Sequence, residues 1–161
     1  MSRIPVRLAT PADAPALTRL INSAYRVEAF FITGDRIGEP EVLARIEGSR
    51  SDFLTVEGSA DGQLTGAVYV EVRDDRGYFG LLSVDPDHQG TGLGRLLVEA
   101  AEAHCRAAGC RALDIDVVNL RTELPQFYAK FGFEATGTMP FPAPGKLKQP
   151  VHLILMSKPL S

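Results

Sequence analysis

The chain has no tryptophan, two cysteines, three histidines and no excess of basic charge. Each shortage removes a class of function. Cys105 and Cys110 are too few and too close in sequence to staple a secreted fold. They also lack the His or Cys neighbours a zinc site needs, so no metal is expected and they read as free thiols in a reducing compartment. A formal net charge of -3 gives no field that would gather nucleic acid, so no such partner is expected. No stretch approaches the ~20 apolar residues that span a bilayer. The first residues, Met1 to Pro5, carry no signal-like apolar run. The expectation is therefore a protein without membrane contact, cytoplasmic by default. Neither a repeat nor a low-complexity linker divides the 161 residues, which read as one domain, 1–161, able to bury its own core.

What is present is a regular alternation of strand and helix signals. Ile4, Val6 and Leu8 alternate with Pro5 and Arg7, predicting a short edge strand. Thr10-Pro11-Ala12-Asp13 reads as a helix start, and Leu17, Leu20, Ile21 and Ala24 continue it at helical spacing to Tyr25. Residues 26–38 read as irregular. A second helix is predicted from Glu39 or Pro40 to Glu47, stopped by Gly48. Strands follow from Phe53 to Glu57, Leu64 to Val72 and Tyr78 to Val84, with turns at Asp61-Gly62 and Asp74 to Gly77. An amphipathic helix runs from Leu93 to Ala108, ended by Gly109. A strand from Leu113 to Val117, a helix from Gln126 to Phe131 and two closing strands, Phe133 to Thr138 and Val151 to Ser157, complete the pattern. The strand–helix–strand unit between residues 78 and 118 requires one parallel pair if both strands share a sheet. The class is α/β or α+β with a mixed sheet.

The most informative segment is Val84-Asp85-Pro86-Asp87-His88-Gln89-Gly90-Thr91-Gly92-Leu93-Gly94-Arg95. Glycines at alternate positions between a strand end and a helix start let several N–H groups point into one concavity. With the positive end of the helix dipole they suit a phosphate or pyrophosphate, and Arg95 adds a cation. A glycine-rich turn without a ligand is the alternative. A P-loop is excluded because no Lys follows these glycines at the required spacing, and the dinucleotide fingerprint wants a glycine where Arg95 stands.

The strand Phe79 to Val84 with Gln89-Gly90-Thr91-Gly92-Leu93-Gly94 resembles the acyl-CoA signature Q/R-x-x-G-x-G/A of the GNAT superfamily. The segment Asn119 to Phe133, with Phe127-Tyr128-Ala129-Lys130-Phe131-Gly132-Phe133, is similar to that family's second motif. The order of elements resembles the family along nearly the whole chain. The resemblance implies a single-domain GNAT-like fold. Its central sheet would be mixed and largely antiparallel, of about seven strands flanked by about four helices. It implies transfer of an acetyl group from acetyl-CoA to a primary amine of a small molecule or peptide. A non-catalytic acyl-CoA-binding sensor is the alternative, and a homodimer is allowed because dimers are common in the family.

Residue roles follow from the same resemblance. Leu82, Ser83 and Val84, on a strand that carries a bulge in the family, would bind pantetheine and the oxyanion through backbone groups. Gln89, Gly90, Thr91, Gly92, Leu93, Gly94 and Arg95 would hold the pyrophosphate. Tyr128 stands where many members place the phenol that protonates the leaving thiolate, with an aromatic that only orients the cofactor as the alternative. Asn119 could meet cofactor or substrate, or simply form a turn. Glu71, on the Leu64-to-Val72 strand, is the candidate base, against a solvated Glu. Asp114 and Asp116 alternate with the core face of their strand and read as solvated, and His152 reads as structural. Phe30, Phe31 and Phe141 are candidate acceptor walls in variable loops, or core. Pro125 departs from the family pattern and sets the expected start of the short helix carrying Tyr128.

Overall fold

A computed structural model describes residues 5–58 and 63–160. Its frame is one seven-stranded sheet in the order β1-β2-β3-β4-β5-β7-β6. The strands are β1 (Arg7–Leu8), β2 (Ser51–Glu57), β3 (Leu64–Arg73), β4 (Arg76–Val84), β5 (Ala112–Val118), β6 (Glu134–Pro140) and β7 (His152–Pro159). All neighbours pair antiparallel except β4 and β5, the parallel pair that the strand–helix–strand unit demands. The four α-helices are α1 (Ala14–Ala24), α2 (Glu39–Glu47), α3 (Leu93–Ala107) and α4 (Glu123–Ala129). The mixed, largely antiparallel sheet and its helices agree with the expected class. No helix among the described residues is long and apolar enough to cross a membrane.

Each face of the sheet has its own core. Leu93, Leu97, Val98, Ala101 and Cys105 of α3 pack on Val68, Val70, Phe79, Leu113 and Ile115. On the opposite face, Leu17 and Ile21 of α1 and Val42 and Ile46 of α2 cover Phe53, Ala67, Tyr69 and Leu81. The split follows the period-two alternation of strand side chains. Helix α3 presses closest at Gly77, where a Cβ would stand 2.6 Å from the Cys105 sulfur. Cys105 is free and buried, and burial pushes its thiol up to about 12.

Local chemistry explains most boundaries. A 3-10 turn, Pro11–Asp13, precedes α1. The Asp13 carboxylate accepts from the Thr10 N–H at 2.7 Å and from the Arg7 guanidinium at 2.8 Å, tying β1 to that start. The β3–β4 hairpin turns at Asp74 with φ 55, a left-handed conformation that Asp tolerates. Helix α3 ends at Gly109 with φ 87. The first strand is shorter than expected: it pairs only at Arg7 and Leu8, and Ile4 lies outside the described residues, as does the Asp61-Gly62 turn. Helix α4 starts at Glu123, before Pro125, because a proline in the first turn lacks only an N–H that has no intrahelical partner there.

Candidate active site

Strands β4 and β5 pair only from Arg76↔Ala112 to Tyr78↔Asp114. Beyond that point they part. The cause lies on the other edge of β4. Gly80 pairs with Tyr69 and Ser83 with Ala67, so Leu81 and Leu82 together stand opposite Val68. This is a β-bulge, and it bends the strand away from β5. Leu81 adopts φ 52, a strained conformation for a large side chain. The bulge also resets the alternation. Phe79 faces the α3 core, Leu81 the α1–α2 core, and Leu82 and Val84 pack back toward α3. The buried Ser83 hydroxyl donates to the Leu81 carbonyl at 2.9 Å, so this side chain holds the bulge rather than facing a ligand.

The gap opens into a cavity of about 570 Å³. Leu82 and Val84 line it from β4, the loop from Gln89 to Arg95 except Thr91 from the start of α3, and Leu124, Phe127 and Tyr128 from α4. Gly90 and Gly92 have φ 80 and 87 with open space where a Cβ would be, so backbone conformation is what requires glycine there. The Thr91 hydroxyl donates to the His88 carbonyl and the Asp87 N–H to the Asp85 carboxylate, which fix the loop. Leu93 is buried in the α3 core, leaving only its backbone for a ligand. Arg95 is exposed, near Glu99 at 3.5 Å. A larger hollow of about 780 Å³ runs along α1 past Arg19, Arg26 and Asp85, but it has no unpaired strand edge, glycine loop or phenol. The glycine loop and Tyr128 line the smaller cavity.

Tyr128 packs its ring against Phe79, Phe127 and Phe133 at 5.9, 5.0 and 6.0 Å. Its hydroxyl makes no hydrogen bond to another described residue, and burial raises its pKa well above the ordinary phenol value. Tyr25, which lines the same cavity, and Tyr78 and Asp116, which do not, add smaller raising effects to that of burial. Tyr25 also lines the cavity, and burial pushes its phenol up to about 12.

Several sequence-based expectations change here. Glu71 points to the α1–α2 side and accepts from the Tyr69 hydroxyl and the Arg73 guanidinium. Burial alone would raise its pKa, but these two bonds outweigh it and hold the carboxyl below its ordinary range. It lies outside the cavity lining. Asn119 accepts from the His152 N–H at 2.9 Å and returns its own N–H to the His152 carbonyl at 3.0 Å, which fastens β5 to β7 away from the lining. Phe31 and Phe141 are buried with Ile32, Val118 and Leu153 in a small core under two loops, while Phe30 is 51% exposed. Asp114 and Asp116, both expected to be solvated, differ. Asp114 is bidentate to Arg76 at 2.8 and 2.7 Å, whereas Asp116 is desolvated beside Tyr78. Sequence reasoning missed Tyr25 and Arg121, which line the cavity, and Glu28, which holds Arg121. Glu28, 4% exposed, accepts from Arg121 at 3.1 Å, joining the turn after α1 to the start of α4. None of these residues carried an advance signal, because they lie in the turn after α1 and the loop before α4, far from the glycine loop in sequence. Among the described residues no group of three or more His, Cys, Asp or Glu is arranged to hold a metal ion.

Comparison with known proteins agrees with this geometry. An aminoglycoside N(6')-acetyltransferase type 1 from Stenotrophomonas maltophilia is 35% identical over 144 residues, covering 81% of this chain and 86% of that protein. A mycothiol acetyltransferase from Propionibacterium freudenreichii subsp. shermanii is 34% identical over 97 residues, 58% of this chain. The chain spans only 31% of that relative's length. A structure from Salmonella typhimurium, described as an acetyltransferase with its cofactor acetyl-CoA, superposes with a TM-score of 0.76 at 25% identity over 99% of this chain and 95% of that one. The model of the Acetyltransferase (GNAT) family matches residues 16–133. The chain belongs to the acetyltransferase (GNAT) family, whose members are acyl-CoA-dependent acyltransferases.

Proposed function

We propose that the protein moves the acetyl group of acetyl-CoA onto a primary amine by direct attack of the amine on the thioester. One observation carries this reading: the bulge at Leu81 parts β4 from β5 exactly where the glycine loop and Tyr128 share a cavity. The chain's groups fit such a co-substrate part by part. The free edge of β4 after Tyr78 supplies backbone partners for an amide-bearing pantetheine arm. Leu82, Val84 and Phe127 supply its apolar wall. The N-terminus of α3, entered through Gly90 and Gly92, supplies amides and dipole for a pyrophosphate, with Arg95 at its rim.

Tyr128 supplies the proton donor. The phenol is protonated across the working range and its hydroxyl has no other partner among the described residues, so it can donate to a sulfur on which charge develops. It recovers a proton from the nitrogen as the amide forms. Backbone N–H groups around Leu82 to Val84 would stabilise the oxyanion. The named activity of the Stenotrophomonas relative, N-acetylation of an aminoglycoside, supports a small-molecule acceptor.

Titration calorimetry with acetyl-CoA, using ATP and free pantetheine as controls, tests the reading. Micromolar binding of acetyl-CoA and CoA release with a primary amine are expected. Tyr128→Phe should lower kcat by about 100-fold and leave acetyl-CoA affinity within threefold. Absence of acetyl-CoA binding by folded protein overturns the proposal.

A further inference from the structure

Tyr25 and Tyr128 both line the cavity. Like that of Tyr128, the Tyr25 hydroxyl makes no hydrogen bond to another described residue. No buried side-chain oxygen among the described residues lacks a partner, so both hydroxyls are open rather than sealed in a core. Tyr25 does not line the larger hollow along α1, which leaves the smaller cavity for its hydroxyl to face. We infer that the Tyr25 hydroxyl donates a hydrogen bond to the thioester carbonyl oxygen of bound acetyl-CoA and stabilises the negative charge that gathers there as the amine attacks. The assignment rests on the acetyl-transfer reading above and adds a side-chain donor to the backbone groups of β4.

Three observations carry it. The first is position. Tyr25 packs with the α1–α2 core, whereas Tyr128 packs with the α3 core beside Phe79 and Phe133. They reach one cavity because β4 and β5 pair no further than Tyr78↔Asp114. A thioester lying in that gap has a phenol on either face of the sheet. Its oxygen and its sulfur point in different directions from the carbonyl carbon, and the reaction asks for a donor to each. With Tyr128 at the sulfur, the phenol from the other face serves the oxygen.

The second is fixation. Tyr25 caps the end of α1, its N–H donating to the Ile21 and Ser23 carbonyls, and the Arg36 guanidinium lies 5.3 Å from its ring centre. Three residues on, Glu28 is buried and accepts from Arg121, a residue of the cavity wall just before α4. That ion pair fastens the turn carrying Tyr25 to the helix carrying Tyr128. The two hydroxyls are thus held before a ligand arrives, as stabilisation of a developing charge requires. The third is protonation. Burial pushes the Tyr25 phenol up to about 12; Arg36 and Arg121 draw it down, and Glu28 and Asp116 oppose them. It stays protonated across the working range and acts as a neutral donor.

The step balances with Tyr25 keeping its proton throughout. The nitrogen lone pair forms the C–N bond, and the carbonyl π pair moves to the oxygen facing Tyr25. When that pair returns, the C–S bond breaks and the sulfur leaves with its electrons. It takes the Tyr128 proton, which nitrogen replaces, giving amide and free thiol.

The test is Tyr25→Phe, which keeps the ring and removes a hydroxyl that no described residue binds. Isotope-edited infrared spectroscopy of bound acetyl-CoA reads the hydrogen bond to the carbonyl directly. The carbonyl band should lie at higher frequency in Tyr25→Phe than in wild type, and Tyr128→Phe should leave it at the wild-type position. The single-turnover rate of CoA release with kanamycin, spermidine and 2-phenylethylamine should fall about 100-fold in Tyr25→Phe. The loss should be alike for each amine turned over, because the carbonyl belongs to acetyl-CoA, and acetyl-CoA affinity by calorimetry should stay within threefold. An unmoved band or a wild-type rate in Tyr25→Phe overturns the assignment while acetyl transfer stands. So does a loss confined to one amine with its KM raised, which places Tyr25 against the acceptor instead. Absence of CoA release by wild type with every amine overturns both readings.

Discussion

The two ends of the β4–β5 seam are built from the same strands and do opposite things. At Arg76 to Tyr78 the strands pair, Gly77 lets α3 sit directly on the backbone, and Arg76 ties Asp114 and Ser157 together. At Leu81 to Val84 the bulge removes the partner strand, and a cavity takes its place. The closed end is filled by packing, and the open end is where the proposed co-substrate would bind. Complete pairing satisfies every backbone group and leaves nothing for a ligand, whereas interrupted pairing leaves donors that must find a partner. The open end is strained, with Leu81 at φ 52. Packing on both faces of the sheet holds it.

The largest expected effect comes from closing space at the paired end. Gly77→Ala places a methyl 2.6 Å from the Cys105 sulfur and 2.7 Å from its Cβ, with no room to yield. It should cost about 1–3 kcal/mol in denaturant unfolding. Adding Cys105→Ala should return part of that loss, and additive losses in the double variant would break the comparison.

A glycine at the open end should behave differently. Gly92→Ala meets nothing within 4 Å, so its cost is the left-handed backbone at φ 87 alone. The expectation is about 1–2 kcal/mol in stability together with weakened acetyl-CoA binding in calorimetry. Gly77→Ala, by contrast, should leave affinity within threefold in the folded fraction.

The smallest effects should differ in sign between two carboxylates of one strand. Hydrogen bonds from Arg76 hold the Asp114 carboxyl below its ordinary value. Its contribution is present above the unfolded value of about 3.9 and is lost as pH falls through the lower folded value. Asp114→Asn should therefore lose about 0.2–1 kcal/mol at pH 7, a difference that disappears in acid. Burial raises Asp116, so its ionised form opposes folding above the raised value and not below about 3.9. Asp116→Asn should then be slightly more stable than wild type at pH 7, with the gap closing on acidification. Thermal unfolding between pH 3 and 8 reads both.

Much of this was legible in the chain. Alternation located β1, β2 and β5 and helical spacing located α1 and α3, because backbone geometry imposes those periods on segments with one buried face; turn signals and residue type marked the other elements. Pro125 misdirected the start of α4 because a first-turn proline is compatible with two helix starts. The site was half legible. The glycine loop is a local feature, and so was its position before a helix. Phe31 and Phe141 were ambiguous because a loop aromatic reads the same in a pocket wall and in a core. Here Ile32 bridges to Leu147, and Lys148 and Gln149 donate to the carbonyls of Ala29 and Phe30, drawing both loops over a shared core.

By itself, then, the sequence determined the order of elements, the dipole-and-glycine cradle and the aromatic helix that follows it, since each depends on residues within a few positions of one another. The tertiary structure alone decided where β4 leaves β5, that Glu71 is already satisfied, and that Asp116 is half-buried beside the Tyr78 hydroxyl. Alternation marks which face a carboxylate takes. What covers that face, and which charge answers it, is set by Tyr25, Arg36 and Tyr78, brought there from distant parts of the chain.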